Sequence, residues 1–247
     1  MIHVKDLNKR YGSVDVLKGL TLKVKQGEVL VILGRSGVGK SVLLRHIIGL
    51  EKPDSGKIVV DGKEITACKK DEIYSAINNM GMLFQGAALF DSLSIFENTA
   101  FYLRQHGNPK TGKPFEESVI RHKVKNALSM VDLSGVEKKM PSDLSGGMRK
   151  RAGLARLIVY RPSILLYDEP TTGLDPITAE QINELIVRTQ KELQGTSIVV
   201  THDIHSALCI ADRLALHQDG QIVRIAPKDE FMQIDDPTIN FLRGIYR

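Results

Sequence analysis

The feature that most constrains the fold is a glycine-rich segment, Gly34–Ser41, that directly follows a short apolar stretch, Val29–Leu33. The segment fits the pattern G-x-x-x-x-G-K-[ST], a loop between a strand and a helix whose backbone N–H groups surround a phosphate chain. Val29–Leu33 is apolar on both faces, as a central parallel strand must be. A helix expected over Val42–Ile48 would point the positive end of its dipole at the same phosphates. The sequence therefore predicts a phosphate site at the end of a buried strand.

Single side chains of this loop have separate expected tasks. Lys40 would neutralise the β- and γ-phosphates of a nucleotide, and the Ser41 hydroxyl would hold Mg²⁺. A chance glycine-rich turn is the alternative, and the strand before the loop and the helix after it argue against that alternative. The residues expected to surround the phosphates are Gly34, Arg35, Ser36, Gly37, Val38, Gly39, Lys40, Ser41 and Val42.

A pair of carboxylates, Asp168 and Glu169, follows another apolar stretch, Ile164–Tyr167. Two carboxylates at a strand end, with no neighbouring Lys or Arg, are costly to bury unless a cation is near. We expect Asp168 to hold Mg²⁺ through water, and Glu169 to face the attacking water as general base or orienter. The alternative is a simple strand end that Pro170 stops, and the phosphate loop makes the metal site the better interpretation.

Hydrophobic patterning predicts an α/β core. Leu20, Leu22 and Val24 alternate with polar residues, which is the period of a half-buried strand. Asp61-Gly62, between Ile58–Val60 and Ile65, signals a hairpin. A further strand is expected over Ser197–Val200, after a helix with an apolar stripe at Ile182, Leu185, Ile186 and Leu193. Thr178 and Gln181 have capping-box spacing before that stripe. Strands that alternate with helices favour a parallel sheet.

The middle of the chain, from about Ala87 to Gly153, is predicted to be a mostly helical insertion into this core. It contains one polar loop, Gly107–Pro114, which is rich in turn residues. One helical stripe in it consists of Val119, Ile120, Val124, Ala127, Leu128 and Val131.

Composition argues against a disordered, a collagen-like or a coiled-coil protein. Hydrophobic residues make up 42% and charged residues 26% of 247, which is ordinary for a globular domain. The net charge of +5, from 34 basic and 29 acidic residues, is a weak indication of nucleic-acid binding. The longest charge-free stretch, Ile73–Phe90, contains polar residues and glycines, and the N-terminus has no signal-peptide pattern, so any membrane span must come from other chains. Cys68 and Cys209 lie far apart without metal spacing, so neither zinc nor a disulfide framework is expected, and a reducing cytoplasm fits.

A second candidate anion site is the segment Leu144–Met148, which reads LSGGM and precedes a helix expected over Arg149–Tyr160. Exposed N–H groups at a helix N-terminus bind anions. As an isolated motif the segment is weak, because S-G-G is a common flexible turn. One chain seldom needs two phosphate-binding sites for one nucleotide, unless two copies of the chain share that nucleotide.

With these motifs in order, the sequence resembles the ATP-binding cassette (ABC) ATPases over essentially the whole chain. The resemblance covers the phosphate loop and the acidic strand end, with Gly173-Leu174-Asp175 after it. It also covers a glutamine loop at Gln85 after the strand Met80–Phe84, the signature Leu144–Met148, and a switch histidine, His202, after the strand Ser197–Thr201. Met148 is a departure, because the family usually has Gln at that position.

The resemblance implies an α/β P-loop NTPase fold of the ABC type: a mainly parallel core sheet, an N-terminal antiparallel β subdomain and an inserted α-helical subdomain. The whole chain, residues 1–247, would be a single domain. Residues 1–86 and 154–247 would form the core with the β subdomain, residues 87–153 would form the helical subdomain with the signature, and residues 228–247 would form a C-terminal tail.

The resemblance also implies ATP and Mg²⁺ as cofactors and a second copy of the chain as a partner. Two chains would pack head to tail and sandwich two ATP molecules, each between one chain's phosphate loop and the other's Ser145, Gly146 and Gly147. His202 would contact the γ-phosphate, and Asp175 would link the two sites across the dimer.

Two further residues have implied roles in that arrangement. Gln85 would sense Mg²⁺ and the nucleotide and relay their state to a partner. Tyr11 would stack on adenine. For Tyr11 the alternative is an ordinary strand residue, and for His202 it is a histidine satisfied at a strand end.

The closer resemblance is to the Mla/Mce-type lipid transport ATPases. It rests on the signature ending in Met148, on Phe84–Asn98, on Tyr167–Ile177 and on Asp236–Gly244. It implies transport of phospholipid or a related lipid between inner and outer membranes, by a subunit that lies peripherally on the cytoplasmic face of the inner membrane. The alternatives are the ATPase of a polar amino acid importer and, in another class, a nucleic-acid-associated ABC ATPase; we expect no nucleic-acid partner.

A separate permease would dock near Gln85–Phe96. Some of the apolar residues of this chain would form a groove that receives a cytoplasmic helix of the permease: Leu89, Phe90, Leu93, Ile95, Phe96 and Phe101. The alternative is that all of them belong to the core. A small regulatory subunit could bind the tail from Asp236 to Arg247 through Ile239, Phe241 and Leu242. The alternative is a tail that docks on its own cassette.

Overall fold

The computed structural model describes residues 2–108 and 111–245. In chain order, the strands are β1 (Ile2–Tyr11), β2 (Val14–Val24), β3 (Val29–Leu33), β4 (Ser55–Val60), β5 (Lys63–Glu64), β6 (Met80–Leu83), β7 (Ile164–Asp168), β8 (Thr196–Thr201), β9 (Arg213–Gln218) and β10 (Gln221–Pro227). The helices are α1 (Lys40–Ile47), α2 (Lys70–Ile77), α3 (Ile95–His106), α4 (Glu117–Met130), α5 (Gly146–Ile158), α6 (Pro176–Leu193), α7 (Ile204–Ile210), α8 (Lys228–Phe231) and α9 (Pro237–Ile245).

The first layer is an antiparallel sheet with the strand order β2-β1-β4-β5. The alternation predicted for Leu20, Leu22 and Val24 is confirmed, because all three are buried. The Asp61-Gly62 turn joins β4 to β5, as the hairpin prediction requires. Ile65, however, lies in a short 3₁₀ helix instead of the second strand.

The second layer is a six-stranded sheet with the order β10-β9-β3-β8-β7-β6. The interior position predicted for Val29–Leu33 is confirmed: β3 lies between β8 and β9, parallel to both, and all five residues are buried. β7 runs parallel to β6 and β8. Since the carboxyl ends of parallel strands meet at one edge, the segments that follow β3, β7 and β8 come together there.

The helical region contains α3, α4 and most of α5. The α4 stripe is buried at Ile120, Val124, Ala127 and Leu128, but the prediction for Val119 is wrong, since it is 37% exposed. The predicted boundary at residues 153 and 154 falls inside α5, which is one continuous helix.

Three helix starts were predicted incorrectly. α1 begins at Lys40 instead of Val42, and α5 begins at Gly146 instead of Arg149, because the Ser145 hydroxyl accepts the Met148 N–H and serves as the N-cap. The Thr178 capping box is wrong because Asp175 caps α6 and accepts the Thr178 N–H itself.

The tail ends in α9, and its apolar face differs from the prediction. Ile239 is fully buried in the core, whereas Phe241 is 68% exposed. The Leu242 side chain and the residues Tyr246 and Arg247 lie outside the described residues, as do Pro109 and Lys110 of the polar loop. Among the helices that the structure describes, none combines the length and the apolar character needed to cross a membrane.

Candidate functional site

The phosphate loop, Gly34–Ser41, runs from the end of β3 into α1. Gly39 has φ +103°, and a Cβ there would lie 2.7 Å from Val16 Cγ1 on β2, so both the backbone angle and the space require glycine. Gly39 also caps α1 without a side-chain hydrogen bond. The first N–H groups of α1 therefore remain available to an anion at the loop.

Lys40 is almost fully buried, and its ammonium group lies at the centre of the site. The Lys40 Nζ donates hydrogen bonds to the carbonyl oxygens of Gly34 (2.7 Å) and Arg35 (3.0 Å), across the loop. It also lies 3.2 Å from Glu169 Oε1. One carboxylate and two carbonyl oxygens compensate this charge, because a buried ammonium group is costly unless it is paired and hydrogen-bonded.

The Ser41 hydroxyl donates a 2.7 Å hydrogen bond to Asp168 Oδ1 at the end of β7. Asp168 is only 5% exposed, and burial raises the pKa of its carboxyl group above the ordinary value, although the Ser41 bond opposes that shift. A hydroxyl and a buried carboxylate are oxygen ligands of the kind that Mg²⁺ prefers. The donor set of Ser41 and Asp168 therefore fits Mg²⁺.

Glu169 lies next to Asp168, in a left-handed backbone conformation with φ +47°. Its Oε2 accepts hydrogen bonds from the Thr172 hydroxyl at 3.1 Å and the His202 backbone N–H at 3.4 Å. The His202 Nδ1 lies 2.9 Å from the same oxygen. The Glu169 carboxylate is thus held between Lys40 on one side and half-exposed His202 on the other.

Five of the candidate side chains therefore meet at the carboxyl edge of the six-stranded sheet: Lys40, Ser41, Asp168, Glu169 and His202. Gly34–Val38 and His202 line a cavity of about 920 Å³ at this edge, which Phe241 of α9 also lines. A cation, oxygen ligands for a metal and a hydrogen-bonded carboxylate–histidine pair are the components that phosphoryl transfer uses.

Lys150 is a residue that the sequence analysis missed. It lies on α5, just after the signature, and is 6% exposed. Its Nζ donates hydrogen bonds to the carbonyl oxygens of Gln85 and Glu169, the latter at 3.3 Å, and burial lowers the pKa of this ammonium group. The sequence offers no signal for this role, because Lys150 stands between two other basic residues and reads as part of a solvated cluster.

The side chain of Gln85 is exposed, and the hydrogen bond described for this residue is that of its backbone carbonyl to Lys150. Ala87 and Ala88 follow with φ +64° and +50°, a left-handed conformation that costs roughly 1–2 kcal/mol for each alanine. Within the described residues, no hydrogen bond joins the Gln85 side chain to Ser41 or Asp168. The predicted contact of Gln85 with the metal therefore stays a prediction.

The signature lies apart from the phosphate loop. Ser145, Gly147 and Met148 line a separate cavity of about 380 Å³, together with residues of the turn after α4 and with Thr178. A Cβ on Gly147 would lie 2.5 Å from Thr178 Cγ2, so this position must be glycine for α5 to pack on α6. A Cβ on Gly146 would lie 3.6 Å from Leu174 Cδ2, in the turn before α6. In the described part of the chain, the two candidate anion sites do not share a cavity.

Asp175 lies at the start of α6, next to the signature. It accepts hydrogen bonds from the Thr178 N–H (3.0 Å) and the Thr178 hydroxyl (2.6 Å). These bonds lower the pKa of its exposed carboxyl group below the ordinary value. Asp175 therefore remains charged at the surface that the signature occupies.

Tyr11 ends β1 and is 42% exposed. Its hydroxyl donates a hydrogen bond to Glu51, and Lys9 Nζ lies 5.3 Å from the ring centroid. Burial of the hydroxyl and its bond to Glu51 raise the pKa of Tyr11 to about 12. Among the contacts described for Tyr11, none is with Gly34–Ser41, so the adenine stack also stays a prediction.

The apolar residues after Gln85 divide between core and surface. Ile95 is fully buried, and Leu89 and Phe96 pack against the core, which contradicts a surface role for Ile95. Phe90 is 38% exposed, and its ring lies 4.8 Å from that of Phe101, with the Arg156 guanidinium 4.4 Å from the Phe90 ring centroid.

Comparison with known proteins decides the family. The family model described as ABC transporter matches residues 17–172, well over half of the chain. This chain belongs to the ABC transporter family. The predicted ABC-type α/β cassette is confirmed, and so are ATPase activity and the use of ATP with Mg²⁺, which an ABC cassette brings with it.

Relatives of this ABC cassette carry two different substrate names. A probable ribonucleotide transport ATP-binding protein, mkl, of Mycobacterium tuberculosis (strain ATCC 25618 / H37Rv) is 41% identical over 98% of this chain, which spans 66% of that relative's length. Intermembrane phospholipid transport system ATP-binding proteins named MlaF are 40% identical in Haemophilus influenzae and 37% identical in Escherichia coli K12. Both alignments cover 99% of this chain and 90% and 89% of those proteins.

Among solved structures, a dimeric ATP-binding cassette in a post-hydrolysis state with ADP and Pi is similar to this chain. The TM-score is 0.84 at 31% identity, and the match covers 92% of this chain and 99% of the other.

Proposed function

We propose that this chain is the ATP-hydrolysing subunit of a lipid transporter, in which two copies of the chain sandwich two ATP molecules and drive a separate permease. One observation carries the ATPase part of the proposal. Five side chains from three separated segments converge at the end of the phosphate loop, with Glu169 held between Lys40 and His202.

Each of these side chains has a proposed task in hydrolysis. Lys40 and the backbone of the phosphate loop bind the β- and γ-phosphates, while Ser41 and Asp168 hold Mg²⁺, which when bound neutralises charge on the phosphate oxygens. Glu169 accepts a proton from the attacking water or orients it. His202 keeps the Glu169 carboxylate in position through its Nδ1 and contacts the γ-phosphate.

The head-to-tail dimer is proposed from the separation of the two anion sites. Ser145 and Gly147, at the start of α5, line a cavity apart from the one that Gly34–Val38 line, and this separation favours a nucleotide at Gly34–Ser41 that meets the signature of a second chain. The similar cassette solved as a dimer supports this arrangement. Asp175 belongs to the same surface and would link the two sites, while Gln85 and Tyr11 keep the roles proposed from the resemblance.

The permease is proposed to dock on the surface near Gln85–Phe96. Phe90 and Phe101 form an aromatic pair there, and Arg156 covers the Phe90 ring. Ile95 is excluded from this surface because it is buried. A cassette bound to a membrane permease would lie peripherally on the cytoplasmic face of the inner membrane.

A regulatory subunit on the C-terminal tail is the least supported part of the proposal. Of the apolar tail side chains expected to make this contact, Ile239 is buried in the chain's own core and Phe241 is exposed. A partner of the tail would therefore have to contact Phe241.

Lipid is proposed as the substrate because the MlaF proteins are 37–40% identical to this chain over nearly the whole length of both. The mycobacterial relatives, at 41% identity, are named for ribonucleotide transport and make a nucleotide the second candidate. A polar amino acid importer and a nucleic-acid-associated ATPase remain rival hypotheses, the latter favoured only by the net charge of +5.

The deciding experiment is affinity purification of the tagged chain from native membranes in mild detergent. Mass spectrometry would identify the co-purifying proteins and any bound small molecules. The proposal predicts a stoichiometric permease and enriched phospholipid, and a matched preparation of the Phe90→Asp variant should lose the permease while keeping the fold. Co-purification with an amino acid receptor or with ribonucleotides, without lipid enrichment, would overturn the substrate assignment. ATPase activity that DNA stimulates, with a steep salt dependence, would indicate the nucleic-acid class.

A further inference from the structure

A cluster of three potential metal ligands lies between α6 and α7, away from the phosphate loop. Its members are Glu180 on α6 and His205 and Cys209 on α7. His205 and Cys209 are four residues apart and therefore share one face of the helix. Glu180 approaches that face from the neighbouring helix. We propose that these three side chains bind a divalent cation of the zinc class, with water as the fourth ligand.

The distances between the ligand atoms support this assignment. His205 Nε2 lies 3.0 Å from Glu180 Oε2 and 3.8 Å from Cys209 Sγ. Cys209 Sγ lies 3.8 Å and 3.9 Å from the two Glu180 oxygens. A tetrahedral zinc centre, with bonds of about 2.0–2.3 Å, separates its ligand atoms by about 3.3–3.7 Å. The three atoms need to move by only a few tenths of an ångström to enclose the ion.

The chemistry of the donors selects the class of metal. One sulfur, one imidazole nitrogen and one carboxylate oxygen make a set of intermediate softness, which suits Zn²⁺ better than Mg²⁺ or Ca²⁺. Burial and the negative charge of Glu180 raise the pKa of the Cys209 thiol. Binding of the cation by Cys209 as a thiolate would release the thiol proton into solvent.

The surroundings supply support for the ligands and access for the ion. The side-chain amide of Asn183, which is almost fully buried, donates a hydrogen bond to Glu180 Oε2 at 3.4 Å, and such outer bonds orient metal-binding carboxylates. Glu180, Asn183 and Cys209 line a surface cavity of about 560 Å³, which leaves room for a water ligand. His205 and Cys209 are exposed, so the site is open to ions from solvent.

The cluster lies where a bound ion would link α6 to α7. α6 begins directly after Asp175, and α7 begins two residues after His202. An ion held by Glu180, His205 and Cys209 would join the two helices behind these residues. Zinc was not expected from the sequence, because Cys68 and Cys209 lie far apart and a site with a single cysteine leaves no cysteine spacing to find.

The experiment is a titration of the metal-free, reduced full-length chain with Co²⁺, which substitutes for Zn²⁺ and absorbs in the near ultraviolet when bound by a thiolate. We expect one Co²⁺ per chain with this absorption. Cys209→Ser should abolish the absorption, and His205→Ala and Glu180→Gln should each weaken Co²⁺ binding by at least about tenfold. Co²⁺ at Ser41 and Asp168 would have only oxygen ligands and would not produce the thiolate band.

Cys68→Ser is the matched control, because Cys68 is the other cysteine and is buried away from the cluster. It should retain both the absorption and the affinity. Zn²⁺ should also raise the melting temperature of the wild type and of Cys68→Ser, but not that of Cys209→Ser. The absence of the thiolate band in the wild type, or its persistence in Cys209→Ser, would overturn the proposal and leave Glu180 and His205 as a plain ion pair.

Discussion

The two candidate anion sites of this chain use the same device and differ in what surrounds it. Both are the N-terminus of a helix, α1 behind the phosphate loop and α5 behind the signature. At α1, side chains from two further segments of the chain converge, so that Lys40, Asp168 and Glu169 are all nearly buried. At α5, Ser145 and Gly146 are exposed, and the neighbouring side chains pack the helix in place.

This difference supports the proposal that the phosphate loop is the catalytic site and that the signature completes it. The phosphate loop has a cation, oxygen ligands for Mg²⁺ and a positioned carboxylate, so it holds the components that break a phosphate bond. The signature offers a helix N-terminus and a serine hydroxyl, which can grip a phosphate without reacting with it. Lys150 joins the two regions, because it stands on the signature helix and donates to the backbone of Glu169.

Of the variants that test this difference between the two sites, Glu169→Gln should have the largest effect. The amide keeps the size of the side chain but cannot accept a proton, so the turnover rate should fall by about 10²–10⁴-fold. ATP affinity should stay within a few-fold of wild type, since Lys40 and the loop backbone remain. Phosphate release and equilibrium ATP binding measure the two quantities. Hydrolysis at the wild-type rate would remove Glu169 from the catalytic role.

Lys40→Ala should weaken ATP binding, on the order of 10²-fold, because a charged hydrogen-bond donor contributes roughly 1.5–3 kcal/mol. Isothermal titration with ATP and Mg²⁺ would measure the dissociation constant. Lys125→Ala, which removes an exposed lysine of α4, is the matched control and should change nothing. Equal affinities for the two variants would contradict the phosphate role of Lys40.

Lys150→Met tests the connection between the regions. The substitution keeps the length of the side chain but leaves the Gln85 and Glu169 carbonyls without their donor, so the unfolding free energy should fall by about 1–3 kcal/mol. Because Glu169 loses a backbone anchor, turnover should fall by between about tenfold and 10²-fold with ATP affinity retained. Lys125→Met, at the exposed lysine of α4, is the control. A loss of stability with unchanged turnover per folded molecule would show that Lys150 stabilises the fold and does not position Glu169.

An effect that appears only in acid is expected from His217, which lies directly behind Gly34 and is 1% exposed. Burial and the nearby charge of Lys40 lower the pKa of His217 to about 4. The unfolded chain binds this proton below about pH 6.5 and the folded chain only near pH 4. Stability is therefore fully present above pH 6.5 and falls as the pH drops toward 4, by on the order of 3 kcal/mol.

His217→Leu should flatten that pH dependence, whereas His122→Leu, at an exposed histidine of α4, should leave it unchanged. Urea denaturation at a series of pH values would measure the difference. Parallel curves for wild type and His217→Leu would show that His217 does not destabilise the phosphate-loop region in acid.

The sequence predicted the fold best where local patterning and motifs agree. The wholly apolar β3 and the alternating β2 were predicted because burial on two faces or on one face leaves a direct signature in the sequence. The helix starts at α5 and α6 were misplaced because Ser145 and Asp175 cap them through contacts that depend on the backbone turn. Ile239 and Val119 were assigned to the wrong face because one turn of helix permits either.

At the site, the sequence indicated candidate residues for the chemistry but could not show how they contact each other. The pattern of Gly34–Ser41 indicated Lys40 and Ser41, yet it could not reveal that Glu169 lies between Lys40 and His202. Lys150 and the cluster at Glu180 went unnoticed for the same reason. Each depends on the burial or juxtaposition of residues that are ordinary in isolation.

The central claim is that each phosphate loop is completed by the signature of a second chain, and one measurement tests it directly. The Glu169→Gln chain, with and without Ser145→Arg, would be examined by light scattering and by ATP titration, with Ser142→Arg, at an exposed serine just before the signature, as the control. The account predicts an ATP-dependent dimer for Glu169→Gln and for the Ser142→Arg control. Adding Ser145→Arg should leave only monomers that still bind ATP at the phosphate loop. A dimer that survives Ser145→Arg, or a monomer whose ATP affinity falls as far as that of Lys40→Ala, would contradict the shared site.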